Sequence, residues 1–410
     1  MKKTGKILAI AAACACVAGV AGCATSVNRL SVDSYWYIDS YEGIQSTSID
    51  PEENGRTAEV LLYNISFDEQ SGGNGSYRVN YFTESEDFAG GETPHYYKTK
   101  FYATGFDWND SRVAEAYRMN EEAVGKLPEG DKARFDGTSE IVYVLETELK
   151  ISGEYIFGKD EATEANSVEF SDYMNTVSYF RSARNGLVPV YSRQEVHTTS
   201  PNGMVAGSVD TMCKEIEYVY EVSYNFECTE ATYTYTEKGE NGQFGEPVTR
   251  TAKKLENSSY TLFDNNTLYQ VMRGMSFSNN FSATISLFSA ADLGTVNVSL
   301  AGGTTNELDK EKDKDIISAL TTAYGEPEKP ENADEDEDSA DHSYIYYNPV
   351  SIKNANGKGV TRTAWFASVT DEDDNTYRAT MLYLNQPLSY GLGTWEFRLA
   401  EVVSVLGELA

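Results

Sequence analysis

KEIEYVYEVSYNFE, Lys214–Glu227, is the stretch whose reading decides the fold class. Ile216, Tyr218, Tyr220, Val222, Tyr224 and Phe226 occupy every even position. Glu215, Glu217, Glu221, Ser223, Asn225 and Glu227 fill the odd ones, with Val219 the one apolar exception. Alternation of this kind places one face of a strand against apolar partners and the other in water. No Gly or Pro interrupts it, so the spacing predicts a single long strand. Cys213 and Cys228 bracket the run. One strand of that length separates the two sulfurs by ~50 Å, far beyond disulfide reach, so two unpaired cysteines are expected.

Working outward, the same pattern recurs. SEIVYVLETELKI at 139–151 alternates and is followed, after Gly153, by the strand EYIFG. VEFSDYMNTVSYFRS and GLVPVYSRQEVHT read as a hairpin joined by ARNG. TYTYTEKG, PVTRTAKKL, YTLF, TLYQVMRGM, FSATISLFS and GTVNVSL continue as strands. Towards the N-terminus, SYWYI, RTAEVLLYNISF, SYRVNYF and PHYYKTKFYATGF are strand-like. Two helices are expected. One is NDSRVAEAYRMNEEAVG at 109–125. The other spans 304–325, where Thr304 and Glu307 fit a capping box and Leu308, Ile316, Leu320 and Tyr324 recur at multiples of four. Residues 326–341 form an acidic low-complexity loop. Strands return to the C-terminus.

A dozen or more strands against two helices predict a mostly β (α+β) body. The expected architecture is a large curved antiparallel sheet or open barrel. The segments are 35–138 (strands and a helix), 139–303 (a β meander) and 304–410 (helix, acidic loop and final strands, packed with the preceding region).

The composition restricts function. The 410 residues carry 64 acids and 33 bases, a formal charge of −31. That balance leaves no basic stripe for phosphates, so nucleic acid is excluded as a partner. The acidity reads as a device for solubility. Tyr outnumbers Phe 29 to 17, which suits strands with a wet edge and a packed ring.

The N-terminus, MKKTGKILAIAAACACVAGVAGC, has Lys2, Lys3 and Lys6 ahead of an apolar run that ends in Val20-Ala21-Gly22-Cys23. The tetrad resembles the lipobox of bacterial lipoprotein precursors. That resemblance implies that residues 1–22 are a signal peptide and that Cys23 is lipidated, anchoring an extracytoplasmic protein of the cell envelope to a membrane. Two acyl chains on one Cys give stable attachment. Loss of three lysines moves the formal charge from −31 to −34. Residues 23–34 would then be a short tether reaching at most ~35 Å. A non-lipidated secretory signal and an uncleaved anchor are the alternatives. In architecture, SYFRS…GLVPVYSRQEV at 178–196 and TAWFAS…QPLSYGLGTWEFRL at 363–399 resemble the half-barrels of lipoprotein-carrier and related envelope lipoproteins. This resemblance implies a fold and carries no functional residue.

Chemistry-bearing motifs are sparse. His95, His197 and His342 have no ligand spacing, and Asp371–Asn375 begins like a calcium loop but has Thr376 and Leu382 where Gly and Glu belong. Gly274-Met-Ser276-Phe-Ser278 lacks the second Gly of a nucleophile elbow. No catalytic residue, metal ligand or cofactor is assigned. Aromatics are the stronger signal. Trp36, Trp108, Trp365 and Trp395 and the Tyr-rich strands are candidates to line a ligand groove, with Tyr218, Tyr220, Tyr224, Trp365 and Trp395 the specific candidates and ordinary core packing the competing explanation. The expectation is a non-enzymatic binding protein for a hydrophobic or amphipathic ligand, with lipid, glycan or protein as candidate ligands. A surface adhesion or carbohydrate-binding module is the alternative, and an extracytoplasmic hydrolase ranks below both.

Overall fold

The computed structural model describes residues 58–68, 71–72, 77–82, 95–105, 141–158, 160–183, 186–201, 213–225, 228–239, 242–256, 262–273, 275, 277, 281–289, 294–327, 342–354, 360–368, 377, 379–387 and 393–404. Cys23, Trp36, Trp108, the helix expected at 109–125, residues 328–341 of the acidic loop and the Asp371–Asn375 turn lie outside the described residues.

The described residues form eighteen strands in one sheet. The long central strands are β5 (Ile141–Phe157), β6 (Ser167–Ala183), β7 (Gly186–Pro201) and β8 (Cys213–Tyr224), each antiparallel to the next. Beyond β8 lie β9 (Glu230–Glu237) and β10 (Val248–Lys253). In the other direction β5 pairs with β4 (Tyr96–Gly105), β4 with β1 (Ala58–Asp68), and β1 with the last strand, β18 (Thr394–Ser404). β17 (Met381–Pro387), β16 (Arg362–Ala367) and β15 (His342–Asn354) follow, then β13 (Gly294–Gly302), β12 (Ser282–Ser289) and β11 (Leu262–Asp264). These fifteen strands make a nearly closed, barrel-like sheet. The short β2 (Ser71–Gly72) and β3 (Tyr77–Tyr81) extend the β4 edge of β5, and β14 (Asn306–Asp309) pairs with β15. Every pairing is antiparallel except β11–β12.

Alternation produces this arrangement directly. On β8 the even positions Tyr220, Val222 and Tyr224 are buried, as the pattern predicts. Cys213 begins the strand, Cys228 lies beyond its end, and no bridge joins them. The glutamates on the opposite face meet bases on neighbouring strands, as in Lys238–Glu217 at 2.7 Å and Arg193–Glu221 at 3.9 Å. The inward faces share a large core that includes Tyr63, Tyr97, Phe180, Leu384 and Leu399. A smaller cluster built on Tyr220, Tyr233, Leu262 and Phe288 draws together the two ends of the sheet. There the Leu262 amide donates to the Cys228 carbonyl at 2.7 Å, although the two strands' ends are far apart along the ladder.

Four sequence expectations need correction. TLYQVMRGM is not a strand. Asn265–Thr267 is a 3-10 turn whose cap Asp264 accepts the Asn266 amide at 2.8 Å, and it runs into helix α1 (Leu268–Arg273). Leu268, Val271 and Met272 are buried on one face at helical spacing. The second helix, α2 (Lys314–Tyr324), begins ten residues later than the capping box suggests. Glu307 instead sits in β14, where its carboxylate accepts the Tyr344 amide at 2.7 Å and binds His342. YTLF contributes β11, but in parallel rather than antiparallel pairing. Finally, Gly153 does not divide two strands, because β5 runs through it.

Gly153 has a packing role. A Cβ there would lie 2.5 Å from the Asn80 carbonyl oxygen and 3.0 Å from Cζ of Phe170. The absent side chain lets β3 and the Phe170 ring close over β5. Gly153→Ala is expected to destabilise the fold by about 1–3 kcal/mol, because backbone or ring must shift to accommodate the methyl. A urea midpoint equal to wild type would contradict this.

Helix α1 is tied to the sheet by charge. Arg273 and Glu59 are 3% and 6% exposed at the side chain, and form a two-pronged ion pair in which Nη2 donates to Oε2 at 3.1 Å and Nη1 donates to Oε1. The Tyr324 hydroxyl of α2 donates to the same carboxylate at 3.0 Å. Glu59 shares its face of β1 with the buried Leu61 and Tyr63. Two helices therefore converge on one inward carboxylate.

Candidate functional site: an aromatic cavity at one end of the barrel

A cavity of about 430 Å³ lies beside β5, β6 and β7. That size is in the range of small-ligand sites. Cross-strand register builds its wall. Ile151 pairs with Asp172, Gly153 with Phe170, and Leu149 with Met174, while Val196 stands opposite Met174. These positions share one face because side chains alternate along each strand. Tyr77 and Tyr81 approach from β3 and Trp395 from β18.

The rings are fixed by one another. Tyr155 stacks on Phe170 with centroids 4.7 Å apart, and Tyr81 stacks on Phe67 at 3.9 Å. The Trp395 indole N–H donates to the Tyr81 hydroxyl at 3.0 Å, and the Tyr155 hydroxyl donates to the Thr199 carbonyl at 3.1 Å. Each polar ring atom therefore has a partner, and apolar ring surface faces the cavity.

Among the described lining residues one carboxylate, Asp172, interrupts that surface. Its Oδ1 accepts the Thr199 amide at 2.8 Å and its Oδ2 the Thr198 hydroxyl at 3.3 Å. No Lys or Arg forms an ion pair with it among the described residues. Burial pushes its pKa up to about 6, against the opposing pull of the Thr199 and Thr198 hydrogen bonds and of His197. The two phenols and the thiol beside it are held neutral at pH 7. Burial raises the Tyr81 and Tyr155 phenols, and burial with the Asp172 charge pushes the Cys213 thiol up to about 11. Asp172 is thus the one carboxylate among the described lining residues, with the imidazole of His197 nearby.

The sequence candidates are placed as follows. Trp395 lines the cavity. Tyr220 and Tyr224 are buried in the smaller core cluster, and the half-buried Tyr218 packs against that cluster with its ring 5.2 Å from Tyr235. Trp365 lies elsewhere, between the buried neighbours Ala364 and Phe366, and stacks at 4.4 Å on Tyr347 and at 4.4 Å on Tyr383. In this column the ring faces cover one another, so they present no flat platform for a sugar. Among the described residues no group of three or more His, Cys, Asp or Glu is placed to hold a metal ion.

Sequence reasoning missed Asp172, Phe170, Tyr155, Tyr77 and Tyr81. For Asp172 the signal was present. It occupies an inward position of β6 between Phe170 and Met174, where alternation calls for an apolar residue.

No family model matches the chain, and no curated protein matches. Among solved structures, the chain is similar to a β-barrel-like protein of domain of unknown function DUF1849 from Brucella abortus. The identity is 9% and the TM-score 0.35, over 85% of this chain and 98% of that one.

Proposed function

We propose that this chain is a lipid-anchored, extracytoplasmic envelope lipoprotein whose β body is a non-enzymatic binding protein for a hydrophobic or amphipathic ligand. The barrel-like fold is compatible with a binding role. The aromatic cavity beside β5–β7 is the observation that carries the reading. Its wall is drawn from the same buried aromatic residues that build the core, among them Tyr77, Tyr155 and Phe170. The lipobox resemblance at Cys23 supports the localisation, and fatty-acid labelling abolished by Cys23→Ala would test it.

Native mass spectrometry of protein purified without refolding should detect a co-purified small amphiphile. Trp395 supplies both ring surface and the hydrogen bond that orients Tyr81. Trp395→Ala is expected to weaken binding of a lipid-like fluorescent probe by about tenfold or more, the effect of truncating a central aromatic anchor. Unchanged probe affinity in a folded Trp395→Ala protein would remove the cavity from consideration.

A further inference from the structure

The cavity combines two features that are rarely placed together without reason. It is walled by aromatic rings, and it holds a carboxylate with no cation beside it among the described residues. A carboxylate taken out of bulk water without a counter-charge is costly to the fold. The hydrogen bonds from Thr198 and Thr199 hold its orientation and leave the charge itself unneutralised. Tyr and Trp rings have electron-rich faces that attract cations, and they do so more strongly where water is excluded.

We propose, building on the binding-protein reading above, that the ligand is a cationic amphiphile. Its alkylammonium head is seated against Asp172 and its chain lies along Tyr77, Tyr81, Tyr155, Phe170 and Trp395. A sugar head fits less well. It is neutral and leaves the Asp172 charge without a counter-ion. An anionic head would meet the Asp172 charge directly.

The test compares three amphiphiles of equal chain length below their micelle concentrations: octyltrimethylammonium, octyl glucoside and octanoate. Affinities are read by calorimetry at pH 7.5 on the full chain. Octyltrimethylammonium should bind about tenfold or more tightly than octyl glucoside, with octanoate weakest. Asp172→Asn should abolish that preference, with far-UV circular dichroism reporting that the variant is folded. General attraction of cations to an acidic chain would persist in Asp172→Asn, because the formal charge changes only from −31 to −30.

A second measurement needs no variant at Asp172. Lowering the pH from 7.5 to 5 should remove the preference as the carboxyl takes up its proton. Tyr81, Tyr155 and Cys213 also face Asp172, and they stay neutral over that range. Repeating the pH comparison in His197→Gln keeps any contribution of the neighbouring imidazole out of the result. Equal affinity for all three heads, preference for the glucoside, or a cation preference that survives both Asp172→Asn and pH 5 would overturn the proposal while leaving the cavity as a binding site. Absence of saturable binding by any of the three, with no effect of Trp395→Ala on any probe, would overturn both readings.

Discussion

Arg273→Met is expected to destabilise the protein by ~3–5 kcal/mol, because it leaves the Glu59 carboxylate buried without its cation. Glu59 is enclosed by the core face of β1, by α1 and by α2, and Tyr324 adds a hydrogen bond from a neutral phenol. A hydroxyl alone does not compensate a desolvated charge. Glu59→Leu should be similarly damaging, because it removes the carboxylate that balances the buried guanidinium. The double variant Glu59→Leu/Arg273→Met should recover most of the loss, since a buried ion pair is often no more stabilising than apolar residues of similar volume. Urea unfolding of the four proteins gives the coupling directly. If either single variant costs less than about 1 kcal/mol, the pair is not the link between helix and sheet that its geometry indicates.

The second large effect is a loss of stability on acidification that originates at His95. Its Nδ1 accepts the Ser152 amide at 3.3 Å and its Nε2–H donates to the Phe82 carbonyl, so both ring nitrogens are committed in the neutral form. The ring also lies edge-on to Phe67, 4.6 Å between centroids. Burial lowers its pKa from 6.5 to about 4, despite the opposing Phe82 hydrogen bond. A base with a depressed folded pKa binds protons less readily when folded. Its contribution is therefore complete above pH 6.5 and is lost as the pH falls towards 4. After allowance for solvent screening the loss is on the order of 2 kcal/mol.

Asp172 and Asp264 act in the opposite sense. Burial raises each to about 6, so each favours the folded state more as the pH falls through the same window. The wild-type curve sums these terms, and the informative quantity is the difference between wild type and His95→Gln. That difference should shrink steadily from pH 7 to pH 4.5. A constant difference, or a His95 ring titrating near 6.5 by NMR, would show that the imidazole is not held neutral.

The β character was legible in the sequence because alternation is a local property. Residues 214–224 and 141–151 each declare a buried and a wet face without reference to the rest of the chain. What was not legible depended on partners distant in sequence. Nothing in AEVLLYNISFD announces that it will lie between β4 and β18. Glu59 reads as an ordinary strand acid until Arg273 is placed beside it. Helix α1 reads as a strand because six residues span under two turns: Leu268, Val271 and Met272 carry the helical spacing, but Tyr269 and Val271 alternate as a strand would. Glu307 matched a capping box by spacing alone, while its carboxylate serves residues 342–344 across the β14–β15 pair. The cavity was only partly legible. Trp395 stood out by residue type, but its companions are drawn from β3, β5 and β6, and only the register brings them together.

The pairing of β1 with β18 also constrains when the molecule can exist. Glu59 lies opposite Ser404, and Phe67 opposite Trp395. The ladder between them cannot begin until the intervening residues 69–393 have been made, so its search is dominated by long-range encounters and folding is expected to be slow. Until then both β1 and β17 present bare strand edges that invite pairing with another copy. A chain that is late to close in this way stays extended longer, and remains available to holding chaperones or to passage through a narrow conduit before its shape becomes fixed.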